Sequence, residues 1–200
     1  RVLNYHQVYY GAYVQDQWRA ARAHFGFPRE EIYGVIRDDL RSYQTPPFEY
    51  ALRTLVRTVA AQNSKQYKKA RQKVEEALAA ADAGLKAKAA DWSRFVVTVA
   101  VEVLKSAPDE YGDAVAGGRI VRPIGYQTAR GIILQADRMI ERVSDAFAGD
   151  KAAALADIRA GLAQLKQHFA SVTAPKPAVV DDATMLDIVA RIELAASRLV

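Results

Sequence analysis

The sequence predicts an all-α protein, built as an antiparallel bundle of seven or eight helices. Apolar residues recur at spacings of three and four along most of the 200 residues, as on one face of a helix. Glycine and proline are grouped at 26–28, 44–47, 107–123 and 171–181, where helices are expected to end. No strand pattern stands out, since the β-branched run Val96–Val103 has no partner strand nearby. These observations predict a single elongated helical domain over 1–200, or two packed halves, 1–106 and 107–200.

The first half contains five helical segments. An aromatic-rich seam near the N-terminus ends at Gly26 to Pro28, and a short helix is expected from Glu30 to Tyr43. The next helix follows Pro46-Pro47, and an alanine-rich helix and a valine-rich helix come after it. The apolar seams of the four longer helices are Tyr10, Val14, Trp18, Ala21 and Phe25; Phe48, Leu52, Leu55 and Val59; Val74, Leu78, Ala81 and Leu85; and Trp92, Val96, Val99 and Val103.

The second half contains three more seams of the same kind. Gly149 is expected to stop the first of these helices, because glycine adopts a left-handed conformation at little cost. Asp150 is expected to cap the second helix, and Asp181 or Asp182 the third, by accepting a hydrogen bond from a free backbone N–H. The seams are Ile133, Ala136, Ile140, Val143 and Phe147; Leu155, Ile158, Leu162, Leu165 and Phe169; and Met185, Val189, Ile192, Ala196 and Leu199.

Composition excludes several classes of protein. Without cysteine, the chain has neither disulfides nor thiolate metal sites. Its longest apolar run, Phe95 to Val101 with Thr98 included, is far below the ~18 residues of a membrane-spanning helix. The helical pattern continues to Val200 without a cap, so we expect the native chain to extend further.

The net charge of +5 is mild, and acidic and basic residues alternate along most helices. The nearest approach to a basic patch is Lys65, Lys68, Lys69, Arg71 and Lys73, of which Lys65, Lys69 and Lys73 share a helix face. This run is typical of a solvated helix, although five charges would also attract an acidic partner. Because no aromatic stacking pattern accompanies it, we do not expect nucleic-acid binding.

Catalytic and cofactor motifs are absent from the sequence. It contains no G-x-S-x-G, no H-E-x-x-H and no glycine-rich nucleotide loop, so we expect a protein that is not an enzyme. The histidines, His6, His24 and His168, have no second ligand at metal-binding spacing. His6 stands among tyrosines, which can ligate iron, but tyrosine-rich helix faces more often pack against other protein surfaces.

The stretch DEYGDAVAGGRIVRPIGYQTA, residues 109–129, interrupts the helical pattern. Gly117-Gly118 permits a sharp reversal, and Pro123 is suited to the first turn of a helix. One interpretation is a structured connector. Asp109, Glu110 or Asp113 would then pair with Arg119 or Arg122, and Tyr111 and Tyr126 would lie over the end of the bundle. The other is a metal-binding corner, since carboxylate and phenolate oxygens suit hard cations such as ferric iron. Its candidate ligands are Asp109, Glu110, Tyr111 and Asp113.

The same stretch resembles one family. An acidic Tyr-containing loop, then Asp113-Ala-Val, Gly117-Gly-Arg-Ile-Val and a Tyr126-Gln helix start, is similar to the helical extracytoplasmic region of bacterial high-affinity iron permeases. The resemblance covers about residues 91–200, including the proline-containing turn at Pro175 and Pro177. One departure is Gly125, where the family often has an acid. The permease signature R-E-x-x-E is absent, as expected if it belongs to the membrane domain.

The resemblance implies a periplasmic accessory role in iron uptake, in which the protein binds a metal species, with iron as the candidate, or docks to a membrane permease. Two alternatives stay open. The chain could be an interaction subunit of a larger assembly, or a small-molecule sensor bundle of a membrane receptor. The interaction subunit would dock through the aromatic N-terminal helix, with Tyr9, Tyr10, Tyr13 and Trp18 at the interface.

Overall fold

The computed structural model describes His24 and residues 33–200. The predicted aromatic interface at 9–18 lies outside these residues. The described chain divides into two compact units, 33–90 and 91–200. The sequence analysis predicted a single domain, or two packed halves that meet between residues 106 and 107, whereas the units meet between residues 90 and 91. The difference arises because the helix at 92–104 packs against the long helix that starts at Pro123, and so belongs to the second unit.

The first unit contains three helices, α1 (Gly34–Ser42), α2 (Glu49–Ala60) and α3 (Ser64–Lys88). The Asn63 side chain caps α3 by accepting a hydrogen bond from the Gln66 N–H at 3.0 Å. The turn between α2 and α3 is only three residues long, so the two helices pack as a hairpin. Their core consists of Tyr33, Phe48, Leu52, Leu55, Val59, Tyr67, Ala70 and Val74.

The second unit is a bundle of four long helices. These are α4 (Trp92–Leu104), α6 (Pro123–Val143), α7 (Ala152–His168) and α8 (Asp182–Ala196), with the short helix α5 (Ala107–Gly112) between α4 and α6. The closest packing joins α7 to α8 and α4 to α6. The prediction of an all-α bundle is therefore confirmed, and the valine-rich run is helical, as its spacing indicated.

Three local predictions for this unit need correction. The buried face of α4 consists of Val96, Val97, Ala100, Val101 and Leu104, whereas Val99 and Val103 are only half-buried. Helix α6 ends at Val143, before Gly149, and a 3-10 turn follows it at Ser144–Ala146. Asp150 does not cap α7, because it lies within a second 3-10 turn, Gly149–Lys151, that leads directly into the helix. Asp181 does cap α8, accepting the Thr184 N–H at 2.8 Å.

Contrary to the strand-free expectation, the second unit contains a small β-hairpin. Its strands are β1 (Val115–Ala116) and β2 (Arg119–Ile120), paired antiparallel. Two residues a strand are too few to produce an alternating pattern, so the sequence signal was confined to the two glycines between them. Across the described residues, no helix combines the length and the apolarity that crossing a bilayer requires.

Candidate functional site

The hairpin reverses the chain at Gly117 and Gly118. Their φ angles are 56° and 70°, and Val115 faces Ile120 while Ala116 faces Arg119. Two successive positive φ angles correspond to the primed turns of two-residue hairpins, whose twist matches that of the strands. Glycine is favoured at both positions because other residues adopt this conformation only with strain. The turn therefore places Arg119 and the residues after it in a fixed position relative to α5.

The end of α5 and the start of α6 pack closely against each other at Gly125. A Cβ atom placed there would lie 2.5 Å from the Glu110 carbonyl oxygen and 2.9 Å from the Ala114 Cβ. Neither atom is the end of a flexible side chain, so a larger residue would push the two segments apart. This packing gives a physical reason for glycine at the position where the resembling family often has an acid.

Side chains from the first two turns of α6 hold the segment that joins α7 to α8, residues 169–181, which we call the connector. Arg130 donates to the carbonyls of Phe169, at 2.9 Å, and of Ala170, at 3.3 Å. Tyr126 donates to the Ser171 carbonyl at 2.7 Å, and Gln127 donates to the Val172 carbonyl at 3.2 Å. Four consecutive carbonyls at the end of α7 are thus satisfied by three side chains of one helix, which fixes where the connector begins.

Tyr111 holds the other end of the connector. Its ring is fully buried and meets the Phe169 ring edge to face, with centroids 5.1 Å apart. Its hydroxyl accepts hydrogen bonds from the Val179 N–H, at 2.7 Å, and the Val180 N–H, at 3.3 Å, and donates to the Val180 carbonyl at 3.2 Å. The Tyr111 hydroxyl is therefore engaged with backbone just before the Asp181 cap of α8.

Between these two ends, the hairpin itself pairs with the connector. The Ile120 N–H donates to the Lys176 carbonyl and the Ala178 N–H donates to the Gly118 carbonyl, both at 2.9 Å. The His168 Nδ1 adds a hydrogen bond of 3.0 Å to the Val179 carbonyl. Residues 111–130 therefore hold the connector in place, and we call them the clamp.

Burial changes the acid–base behaviour of two clamp residues. It raises the pKa of Tyr126, and the pKa of Arg130 is lowered by burial of its guanidinium. The positive charge of Arg130 opposes the rise at Tyr126 but does not reverse it. Because a tyrosine ligates ferric iron as the phenolate, a raised pKa makes Tyr126 a poorer metal ligand at neutral pH.

The predicted metal ligands are placed separately rather than around a common point. Asp109 is exposed, and Asp113 forms an exposed ion pair of 3.4 Å with Arg122. Glu110 is half-buried, and the Tyr111 hydroxyl points to the connector. Among the described residues, no group of three or more His, Cys, Asp or Glu side chains is arranged to hold a metal ion. The metal hypothesis for these residues stays a prediction. The geometry favours the other interpretation, in which the stretch at 109–129 has a structural role.

The clamp has an exposed outer surface next to the hairpin. Val121 is 57% exposed and Ile124 is 41% exposed, with the exposed arginines Arg119 and Arg122 beside them in the chain. Val121 follows the hairpin and Ile124 lies in the first turn of α6, so both exposed apolar side chains are on backbone that is held in place and is available to another protein. We call Val121 and Ile124 the apolar tip.

A groove of about 520 Å³ lies on the outer face of α7 and α8. Arg198 pairs with Asp157 across it, and Arg191 donates to Asp187 at 3.0 Å and to Gln164 at 3.3 Å. The sequence analysis did not anticipate this groove, because the side chains that line it come from two separate helices. The groove is lined by Asp157, Ala160, Gly161, Gln164, Arg191, Leu194, Ala195 and Arg198.

Comparison with known proteins gives one match. The sequence profile of the iron permease-associated 4-helix bundle domain matches residues 86–200, which is more than half of the chain. No curated protein and no solved structure matches the chain. The matched range contains all four long helices of the second unit, the clamp and the connector.

Proposed function

Since the chain belongs to the iron permease-associated 4-helix bundle family, we propose that it is a non-enzymatic periplasmic module that docks onto an iron permease. An accessory role in iron uptake follows from the family. Docking, the periplasmic location and the surface involved are the parts that we add. The partner would be the membrane domain of the permease, contacted on its extracytoplasmic side.

The main observation behind this proposal is that the polar side chains of the clamp point into the protein. Tyr111, Tyr126, Gln127 and Arg130 all hydrogen-bond to backbone of the connector. These groups are therefore engaged with the protein itself rather than directed at a ligand. What the clamp offers to the outside is the apolar tip on a backbone held by hydrogen bonds, which lowers the entropic cost of binding another surface.

The chemistry of the apolar tip defines the kind of surface that would bind it. Val121 and Ile124 would be covered by apolar side chains, and Arg119 would meet a carboxylate at the rim. Arg122 already has Asp113 as a partner, so it would contribute less. The permease surface that fits is an apolar patch bordered by an acidic residue.

The test is co-purification of the chain with the permease of the same organism, together with iron uptake by cells that contain both. The variant changes Val121 and Ile124 to Asp. We expect lost co-purification and reduced uptake, because each charge would be buried without a partner at the interface. The matched control is Leu186→Asp, at an equally exposed leucine on α8. Normal docking by the Val121 and Ile124 variant would contradict the proposal.

The groove on α7 and α8 supports a second candidate function, the binding of a small anionic molecule. Its volume is within the ~300–1,000 Å³ typical of ligand sites, and Arg191 and Arg198 line it. A carboxylate ligand would have to compete with the acids that already pair with both arginines. Calorimetric titration with citrate, with and without iron, tests this function. Saturable binding that is lost in Arg191→Gln and Arg198→Gln would support it, and absence of binding would exclude citrate.

A further inference from the structure

The positive charge of the described chain is concentrated in the first unit. Residues 33–90 contain eleven Lys and Arg against six Asp and Glu, a net charge of +5. Residues 91–200 contain thirteen against fourteen, a net charge of −1. The family match covers only the last few residues of this basic unit, so the docking function does not account for its charge.

Within the first unit, four lysines form one exposed face of α3, which we call the α3 basic face. Lys65, Lys68, Lys69 and Lys73 lie opposite the buried side of the helix, and span about 12 Å along its axis at ~1.5 Å per residue. None of the four forms an ion pair with another described residue. Arg57, one turn before the end of α2, adds an exposed charge near the same end of the hairpin.

The position of these charges is unfavourable for the helix itself. The first turn of α3 contains no acid, and three of the lysines lie in its first two turns. The N-terminus of a helix carries a partial positive charge, so cations there destabilise the helix. The arrangement is therefore better explained by an external anionic partner than by the stability of the fold.

The residue types indicate what kind of anion this partner presents. Lysine is a compact charge on a flexible stem, whereas recognition of a single carboxylate or phosphate in a fixed geometry is typical of arginine. The face has no aromatic side chain on which a base would stack, which disfavours single-stranded nucleic acid. A diffuse layer of lipid phosphates fits mobile lysines without an apolar anchor.

We propose that the α3 basic face binds the surface of a bilayer that contains anionic phospholipid. Attachment is peripheral and electrostatic, and it involves a different surface from the apolar tip. At ~1 kcal/mol for each lysine near such a surface, removal of one charge weakens partitioning about fivefold. Removal of three charges therefore weakens it about a hundredfold.

The test is co-sedimentation of the full 200-residue chain with vesicles of phosphatidylglycerol and phosphatidylcholine, and with vesicles of phosphatidylcholine alone. The variant is Lys65→Gln, Lys68→Gln and Lys69→Gln together. The matched control removes three exposed charges elsewhere, as Lys86→Gln, Arg138→Gln and Lys176→Gln. Circular dichroism of both variants establishes that they are folded.

We expect binding to anionic vesicles only, about a hundredfold loss in the α3 variant, much less loss in the control and release by salt. Equal binding to neutral vesicles, or equal loss in both variants, would overturn the proposal. Binding to a soluble polyanion such as heparin without binding to vesicles would also overturn it, in favour of an acidic macromolecule. Because the vesicles contain no permease, these results are independent of the docking proposal.

Discussion

Replacement of Tyr111 by Phe distinguishes the structural role of the clamp from a metal-binding role. The change removes one oxygen atom and keeps the ring against Phe169. The lost hydroxyl leaves the N–H groups of Val179 and Val180, and the carbonyl of Val180, without that partner. Leaving a buried donor or acceptor unsatisfied costs about 1–3 kcal/mol. Val179 is only half-buried, so water recovers part of this cost, and we expect a loss of about 2 kcal/mol.

The assay is urea unfolding followed by circular dichroism, together with thermal unfolding. A loss of about 2 kcal/mol lowers Tm by about 4–8 °C for a chain of this size. Tyr126→Phe serves as a graded comparison, because its hydroxyl makes one hydrogen bond, to the carbonyl of the exposed Ser171, and we expect a smaller loss. Tyr50→Phe, at a tyrosine that is 69% exposed, is the control for the substitution itself.

Two results would refute this reasoning. If the free energy of unfolding of Tyr111→Phe equals that of the wild type, the hydroxyl does not hold the connector. If stability is unchanged while affinity for ferric iron falls, Tyr111 is a ligand rather than a structural residue.

Three further predictions follow from the same region. Gly125→Ala is expected to lower the free energy of unfolding by about 1–3 kcal/mol, because the added Cβ would overlap the Glu110 carbonyl oxygen. Gly112→Ala is the control, since a Cβ at that position meets open space. Equal losses of stability in the two variants would exclude this packing argument. Hydrogen bonds from Thr184 lower the pKa of Asp181 in the folded protein. The stabilisation that the Asp181 carboxylate gives to the fold is therefore complete above the ordinary aspartate pKa of ~3.9 and is lost as pH falls through the lower folded pKa. In thermal unfolding across this pH range, Asp181→Asn should make Tm less dependent on pH. The last prediction compares the wild type with a triple alanine variant of Asp109, Glu110 and Asp113. Calorimetric titration with ferric citrate, ferrous iron, copper and zinc should give the same result for both proteins. Saturable binding that is lost in the variant would support the metal hypothesis.

The helices were predictable because their signals are local. Apolar spacing identified the long helices of the second unit. The cap of α8 was predicted at Asp181 or Asp182, and the structure shows Asp181, which accepts an N–H only three residues away. Asp150 also precedes a helix in the sequence, but it lies within a 3-10 turn that leads directly into α7 and so does not cap this helix. The path of the chain before α7 decides this, and the local sequence does not show that path. Local chemistry therefore identified the presence of helices better than their ends.

The role of the clamp was not predictable because its partners are distant in the sequence. The Tyr111 hydroxyl binds backbone 68 and 69 residues away, and Tyr126 binds a carbonyl 45 residues away. Backbone partners leave no sequence pattern, since every residue except proline presents the same N–H and carbonyl groups. The sequence showed polar side chains in a loop, and only the fold shows that the tyrosines among them are directed at the connector.

This explains why a structural loop resembles a ligand-binding loop in sequence. An irregular segment such as the connector has carbonyl and N–H groups that no helix or sheet satisfies, so another part of the chain must supply polar side chains to it. The residues suited to this task, tyrosine, glutamine and arginine, are also residues that bind ligands. The two roles differ in where the polar side chains point. In this protein Tyr111, Tyr126 and Arg130 point inward, to the backbone of the connector. A function in binding is therefore better sought at the exposed outer surface of the clamp, where the apolar tip lies.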